Sequence, residues 1–247
     1  MKHTSGCLIC GKSLVYSEIP KNIQCFICKA DAVSIAECED GHYVCDQCHF
    51  KDGYEYIENF VRAADGKNPI AIAETIMKSK LINMHGPEHH FLVTAALLAA
   101  YKNSGGAFGG RFGEDLDFKK ALEAAQQRTQ KVPGGICGMW GSCGAGISAG
   151  IFVSLVTKAT PLSEKEWSLA NQMTAQCLNI ISQNGGPRCC KRDTILALRQ
   201  AIAFTKSQLN VEMDSSNFIC SFFPQNSSCK VENCLFYPKS TRNIFTL

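Results

Sequence analysis

Two cysteines and one tryptophan lie among six glycines in the stretch Pro133 to Gly146, where Cys137, Trp140 and Cys143 are the residues able to do chemistry. Glycine is used where backbone takes positive φ or comes close to another group, and a run this dense costs folding entropy. After Ser142 the residues turn small and apolar, through Ala145, Ala149, Phe152 and Val156, which predicts a buried helix starting near Cys143. Unpaired N–H groups and the positive dipole end at such a start favour the thiolate, the form of cysteine that attacks electrophiles and binds metals. The pair therefore reads as reactive or metal-bound. The alternative is a glycine-rich helix packed closely on a neighbour through Gly146 and Gly150, with both cysteines as small hydrophobes.

Three further clusters carry related chemistry. His85, Glu88, His89 and His90 stand just ahead of an apolar run from Phe91 to Tyr101, and Pro87 is a natural helix opener. Rings in that first turn are kept neutral by the dipole, as a metal ligand or acid–base group needs, although any one of them alone is more often a satisfied cap or surface residue than a functional one. Asn184-Gly185-Gly186-Pro187 stops one helix, and Arg188-Cys189-Cys190-Lys191-Arg192-Asp193 leads into the next, Thr194 to Phe204. Cations at a helix start oppose the macrodipole, so they are expected to lower cysteine pKa or to hold an anion, with Arg188 assigned to an anionic substrate. A solvated basic turn is the alternative. Adjacent cysteines do not easily close an unstrained disulfide, so Cys189 and Cys190 suggest a metal, a cluster or a reactive thiol. Cys220, Cys229 and Cys234 lie among Phe218, Phe222, Phe223, Phe236 and Tyr237. They suit an iron–sulfur cluster with a fourth ligand from elsewhere or, equally well, a third zinc ion.

The densest ligand spacing comes first in the chain. Cys7 and Cys10, Cys25 and Cys28, Cys38 and His42, and Cys45 and Cys48 make eight ligands, enough for two tetrahedral zinc ions that would order a segment too short for a core. The run from Cys25 to Cys48 resembles the first three ligand pairs of RING-type domains. It departs from them in lacking the last pair after Cys48 and in having Cys7 and Cys10 in front. If the cross-brace of that family carries over, Cys25, Cys28, Cys45 and Cys48 hold one ion and Cys7, Cys10, Cys38 and His42 the other. A sequential arrangement, Cys7 to Cys28 then Cys38 to Cys48, is the competitor, with the cross-brace preferred. His49 is left over and expected to be solvated. Acidic residues outnumber lysines in the first fifty positions, which argues against a phosphate-binding face and for protein docking or structural support.

The elements that must position these groups are helical. Tyr54 to Val61 has helical spacing, Asn68 and Pro69 read as N-cap and first position of a helix through Met77, and Asp117 to Arg128 is amphipathic. Ser163 and Glu166 are placed as a capping box for a helix through Ile181, with Cys177 on its inner face. The glycines from Ser104 to Gly113 lack the ending of a phosphate-binding loop. With 247 residues, 45% hydrophobic, the chain can build one good core plus a small module. Its net charge of +3 implies neither nucleic acid nor membrane as partner, and no apolar run reaches the length of about eighteen residues a bilayer span needs. Fifteen cysteines without a secretory leader point to metal or thiol chemistry in a reducing cytoplasm.

The motifs His85-Gly86-Pro87-Glu88-His89-His90, Gly134 to Gly144 and Gly185 to Asp193 together resemble the cysteine-rich domain of unknown function family 5714. That resemblance supplies no activity. It implies a setting in anaerobic archaea and bacteria, where an oxygen-sensitive cluster is at home, with occasional fusion to methyltransferases. The expected architecture is mainly α: a cross-braced two-zinc module (1–50), linker helices (51–83), a helical Cys/His domain (84–213) and a Cys-rich C-terminal segment (214–247). The expected function is metal-dependent redox or sulfur transfer at a centre, iron–sulfur in one version, on which His85, His89, Cys137, Cys143, Cys189 and Cys190 converge, acting on a small anionic or thiol substrate. The alternative is a non-enzymatic zinc adaptor for a methyltransferase or metalloenzyme, meeting a protein partner through its zinc module.

Overall fold

The structure is a computed structural model and describes residues 6–108 and 118–241. The glycine-rich stretch from residue 109 on, and Asp117 as the expected start of its helix, lie outside the described residues. The protein is mainly α-helical behind a small two-metal headpiece. In the headpiece, β1 (Leu14–Gln24) and β2 (Asp31–Cys38) form an antiparallel hairpin that pairs Leu14 with Cys38 and Gln24 with Asp31, with a register shift between Tyr16 and Lys21. Nothing in the residue pattern predicts strands there. Their apolar residues do not alternate onto a buried face: Leu14, Val15, Tyr16, Ile19 and Val33 all remain exposed.

α1 (Asp46–Ala63) begins inside the headpiece with Cys45 as its N-cap and runs into the core, where Tyr54, Ile57 and Val61 are buried. A boundary at residue 50 therefore falls within a helix. α2 (Pro69–Met77) starts as its sequence requires, with Asn68 Oδ1 accepting from the N–H groups of Ile70 at 3.0 Å and Ala71 at 3.1 Å. Both helices, expected as linkers, join the main apolar cluster.

That cluster surrounds α3 (Glu88–Asn103), in which every residue from Glu88 to Tyr101 is buried. A helix apolar on all faces needs neighbours on all faces. α1, α2, α4 (Phe118–Thr129), α6 (Gly144–Val156) and α8 (Cys190–Gln208) supply them. The single turn α5 (Ile136–Met139) interrupts the glycine loop ahead of α6, and α7 (Lys165–Asn184) covers the outer side of α6. Cys177 faces the core from α7, its Sγ 3.6 Å from Met173 Sδ. After α8 the chain is irregular, with short 3-10 turns at Phe223–Gln225 and Val231–Asn233, yet it seats Phe218, Phe222 and Phe236 in the same core. Among the described residues no helix is long and apolar enough to cross a membrane.

The expected capping box does not form. Ser163 is drawn back to Thr160, accepting from its N–H at 3.0 Å, and α7 starts behind Glu164 without a side-chain cap. The close approach of α6 and α7, in contrast, does depend on glycine. A Cβ on Gly150 would overlap Thr174 Oγ1 and come to 3.0 Å from the Ala170 carbonyl oxygen. Gly150→Ala gains up to about 1 kcal/mol of helix propensity, but overpacking costs about 1–3 kcal/mol. A melting temperature lower by about 2–4 °C for each net kcal/mol is the expected result. Gly138→Ala, where an added Cβ meets nothing within 4 Å, should leave thermal unfolding unchanged.

Candidate functional site

The ligand atoms of Cys7, Cys10, Cys38 and His42 lie within 4.8 Å of one another, as do those of Cys25, Cys28, Cys45 and Cys48. This is the cross-braced pairing. A tetrahedron with zinc–sulfur bonds of 2.3 Å has edges of about 3.8 Å, and the observed Cys10–Cys38 and Cys28–Cys45 sulfur separations are each 3.7 Å. Cys38 Sγ stands 3.5 Å from His42 Nδ1, the nitrogen that faces the site. Backbone N–H groups point at the sulfurs: Ile9 to Cys7 at 3.4 Å, His42 to Cys38 at 3.3 Å and Cys45 to Cys25 at 3.3 Å. Both donor sets are compatible with zinc.

The second of these sites continues directly into the helical body. Cys45 caps α1 and Cys48 lies in its first turn, so the metal site fixes that turn, and between them Asp46 Oδ2 accepts from Gly134 N–H at 2.9 Å. One carboxylate thus ties the headpiece to the start of the glycine–cysteine loop. The next residue after Cys48 is not solvated as expected: the His49 ring is mostly buried, with Nδ1 3.5 Å from Glu88 Oε2 of α3.

Between headpiece and body lies a cleft of about 480 Å³, the size of a small-molecule site. The N-terminal turns of α1, α3, α6 and α8 all contribute to its wall, through Asp46, His89, Gly144 and Cys190 among others. Each helix start carries the equivalent of about half a positive charge. Of the residues singled out in the sequence, the cleft gathers His85, His89, Cys137, Cys143, Cys190 and Arg188. Cys189, Cys220, Cys229 and Cys234 do not line it. Trp140 and Met139 stand at the mouth, 67% and 49% exposed.

The imidazoles are set in defined tautomers. His89 Nδ1 faces the Gly86 carbonyl at 3.2 Å and His90 Nδ1 the Val132 carbonyl at 3.0 Å, so these nitrogens carry the proton and Nε2 carries the lone pair. His85 is turned the other way, with Nε2 3.3 Å from Asn226 Oδ1. His89 Nε2 and His85 Nδ1 are buried with no hydrogen-bond partner among the described residues. His90 packs its Nε2 edge onto Gly144, where any Cβ would overlap the ring. Burial, with help from the charge of Lys191, pushes His89 down to about 3; burial and the Arg188 charge push His85 down to about 4.

The thiols differ from expectation. Burial pushes Cys143 up to about 12, the Asp193 carboxylate adds to the rise, and the amides of Ala145 and Gly146 only partly offset it. Cys190 is pushed above its ordinary range by burial, against the pull of the Gly86 N–H and the Arg188 charge. Desolvation outweighs the helix ends. The three cations also divide. Lys191 is buried, donating to the carbonyls of Met77 at 3.3 Å and Ile82 at 3.4 Å, and Arg192 pairs with Asp193 at 2.9 Å. Arg188 alone of the three faces the cleft, with no hydrogen bond or ion pair among the described residues. Sequence reasoning missed Asp46, His49, Asp193 and Asn226. Asp46, between two metal ligands at a helix start, was the only one with a local signal.

These features define a helical protein that carries thiols and imidazoles behind a cross-braced two-metal headpiece. The sequence matches the family of unknown function DUF5714 over residues 57–237, more than two thirds of the chain, and the chain belongs to that family. The match begins within α1, past its cleft-lining residues Asp46 and His49, and takes in the cleft groups from Asn83 to Asp193. No curated protein and no solved structure matches it.

Two outcomes follow from this geometry. Cys25→Ser should remove one of the two headpiece metal ions, read by elemental analysis, and loosen the cleft wall that α1 holds, read by faster amide exchange at Gly134. Acidification should destabilise the fold through the depressed histidines. Below pH 6.5 the unfolded chain takes up protons that the folded rings refuse, so stability falls with pH until the folded values near 3 to 4 are reached. By pH 5 His89 alone accounts for about 2 kcal/mol. Comparing wild type with His89→Gln in denaturant melts at pH 7 and 5 isolates that share from acid-driven metal loss; an equal pH slope in both would contradict it.

Proposed function

We propose that the cleft is the working site of a metal-dependent redox or sulfur-transfer protein and that it receives a small anionic or thiol-bearing substrate. The observation that carries this reading is the gathering in one cleft of Cys137, Cys143 and Cys190, of two neutral rings with uncovered lone pairs, His85 and His89, and of the unpaired Arg188 guanidinium. Arg188 and the surrounding helix ends attract the anionic group. Cys143 and Cys190 are the sulfurs that react or ligate, with Cys137 as partner. His85 and His89 are the groups free to accept a proton or a metal.

Metal dependence fits the thiols' state. A thiol held up by burial is neither a good nucleophile nor a ligand until its proton is displaced, and coordination does this outright. Among the described residues, however, no three cleft donors lie within 4.8 Å of one another, so the cleft is not a ready-made single-ion site like those of the headpiece. For the headpiece itself zinc is the proposed ion, supported by its thiolate-rich tetrahedral donor sets.

The adaptor reading has an observation of its own in the apolar surface around the mouth, where Trp140, Met139, Tyr16 and Val33 are exposed together. A titration separates the two. With anaerobic full-length protein, sulfite and thiosulfate should quench the Trp140 fluorescence, and Arg188→Gln should weaken binding at least tenfold, about 1.4 kcal/mol. Mass spectrometry should show one sulfur added to wild type by thiosulfate, whose outer sulfur passes to a cleft thiolate as sulfite leaves, but none added to Cys143→Ala or Cys190→Ala. No response to either anion, with both cysteine variants fully active in the host while Cys25→Ser is inactive, would establish the adaptor instead.

A further inference from the structure

The neighbours Cys189 and Cys190 part company at the start of α8. Cys190 faces the cleft, while Cys189, the N-cap, turns under the C-terminal segment, where Asn226 Nδ2 lies 3.8 Å from its sulfur. The other three cysteines of that segment are held around the same place. Cys229 N–H donates to the Asn226 carbonyl at 3.0 Å, Cys234 N–H to the Val231 carbonyl at 2.8 Å and Cys220 N–H to the Phe236 carbonyl at 2.7 Å. Phe218, Phe222 and Phe236 are buried in this part of the core, as is Cys234, while Cys189, Cys220 and Cys229 are half-buried.

We propose that Cys189, Cys220, Cys229 and Cys234 hold an iron–sulfur cluster beneath the first turn of α8, as a site separate from the cleft. Three observations carry it. One of the sulfurs accepts a backbone hydrogen bond in the manner of the headpiece ligands: Val231 N–H donates to Cys229 Sγ at 3.4 Å, as Ile9 N–H does to Cys7 Sγ at the same distance. Such N–H···S bonds tune and stabilise ligating thiolates in clusters. To make this bond Val231 takes φ +45°, a left-handed conformation that is an outlier for a β-branched residue and that persists only where surroundings impose it.

The second observation is spacing. The four thiols lie along one chain of contacts: Asn226 reaches Cys189 Sγ and accepts from Cys229 N–H, Val231 joins Cys229 to Cys234, and Phe236, two residues beyond Cys234, accepts from Cys220 N–H. Yet among the described residues no three of them come within 4.8 Å, whereas each headpiece site has sulfurs 3.7 Å apart. Thiols that share a neighbourhood but stand too far apart for one ion suit a centre in which each binds a different iron atom. The third is charge. The guanidinium of Arg192, 5% exposed and paired with Asp193 at 2.9 Å, is a buried cation three residues after Cys189, beside a centre that four thiolates make anionic.

The site does not rest on the reading of the cleft, and the test keeps them apart. Full-length protein, purified without oxygen and reconstituted with ferrous iron and sulfide, is assayed for iron, acid-labile sulfide and zinc. Iron and sulfide in equal amounts are expected in wild type and in Cys143→Ala and Cys137→Ser, together with visible charge-transfer absorption. Cys220→Ser and Cys229→Ser should lose iron and sulfide while keeping the headpiece zinc and the helical circular dichroism, which shows that they fold. Absence of iron and sulfide from wild type, a third zinc ion lost from Cys229→Ser, or iron lost from Cys143→Ala but kept by Cys229→Ser would each overturn the proposal.

Discussion

One helical turn connects metal binding to everything behind it. The first turn of α1 carries Cys48 directly after its cap Cys45, and the two residues that reach into the body, Asp46 and His49, stand on the same turn. The hairpin in front has little core of its own, and an isolated two-stranded hairpin is marginal in water. Coordination at its two donor sets would supply its order, since the free energy of metal binding is then folding free energy. Through Asp46 and Gly134 that order passes to the loop bearing Cys137 and Cys143. Through His49 and Glu88 it reaches the start of α3, where two of the cleft imidazoles stand.

The cleft itself is governed by a contest between burial and dipole. A thiol at a helix start is commonly taken to be activated, and the favourable interaction is worth about 0.3–1 kcal/mol at an exposed site and up to about 2 in a buried one. The rise of Cys143 from 9.0 to about 12 corresponds to about 4 kcal/mol in the opposite sense. The same burial acts on His85 and His89 together with the charges of Arg188 and Lys191, keeping both rings neutral. The site therefore stores Cys143 and Cys190 as thiols and these two rings as free bases, a resting state without net charge on either.

What the sequence makes legible follows from how local the signal is. The paired cysteines of the headpiece, the Asn68–Pro69 helix start and the helix behind Cys143 rest on spacing or capping within a few residues, and the structure has all three. The hairpin was not legible, since its apolar residues face solvent and leave no period-two pattern. His49 matters through Glu88, 39 residues away, which no local pattern reveals, whereas Asp46, whose partner Gly134 is 88 residues away, at least stands between two metal ligands at a helix start. Ser163 had the right spacing for a cap but a nearer partner in Thr160. Of three basic residues that look alike in the chain, tertiary packing commits Lys191 and Arg192 inward and leaves Arg188 to the cleft.

The parting of Cys189 and Cys190 also limits how this stretch of chain can vary. Cys189 is the extended N-cap and Cys190 the first helical residue, so one peptide unit suffices to send consecutive side chains into different compartments, one lined by histidines and the other covered by the C-terminal segment at Asn226. Inserting or deleting a single residue between Gly185 and Asp193 would rotate each sulfur toward the wrong chamber while leaving composition, hydrophobicity and helix length almost untouched. Relatives that share this architecture must therefore keep the length of that segment constant, even where its individual residues drift.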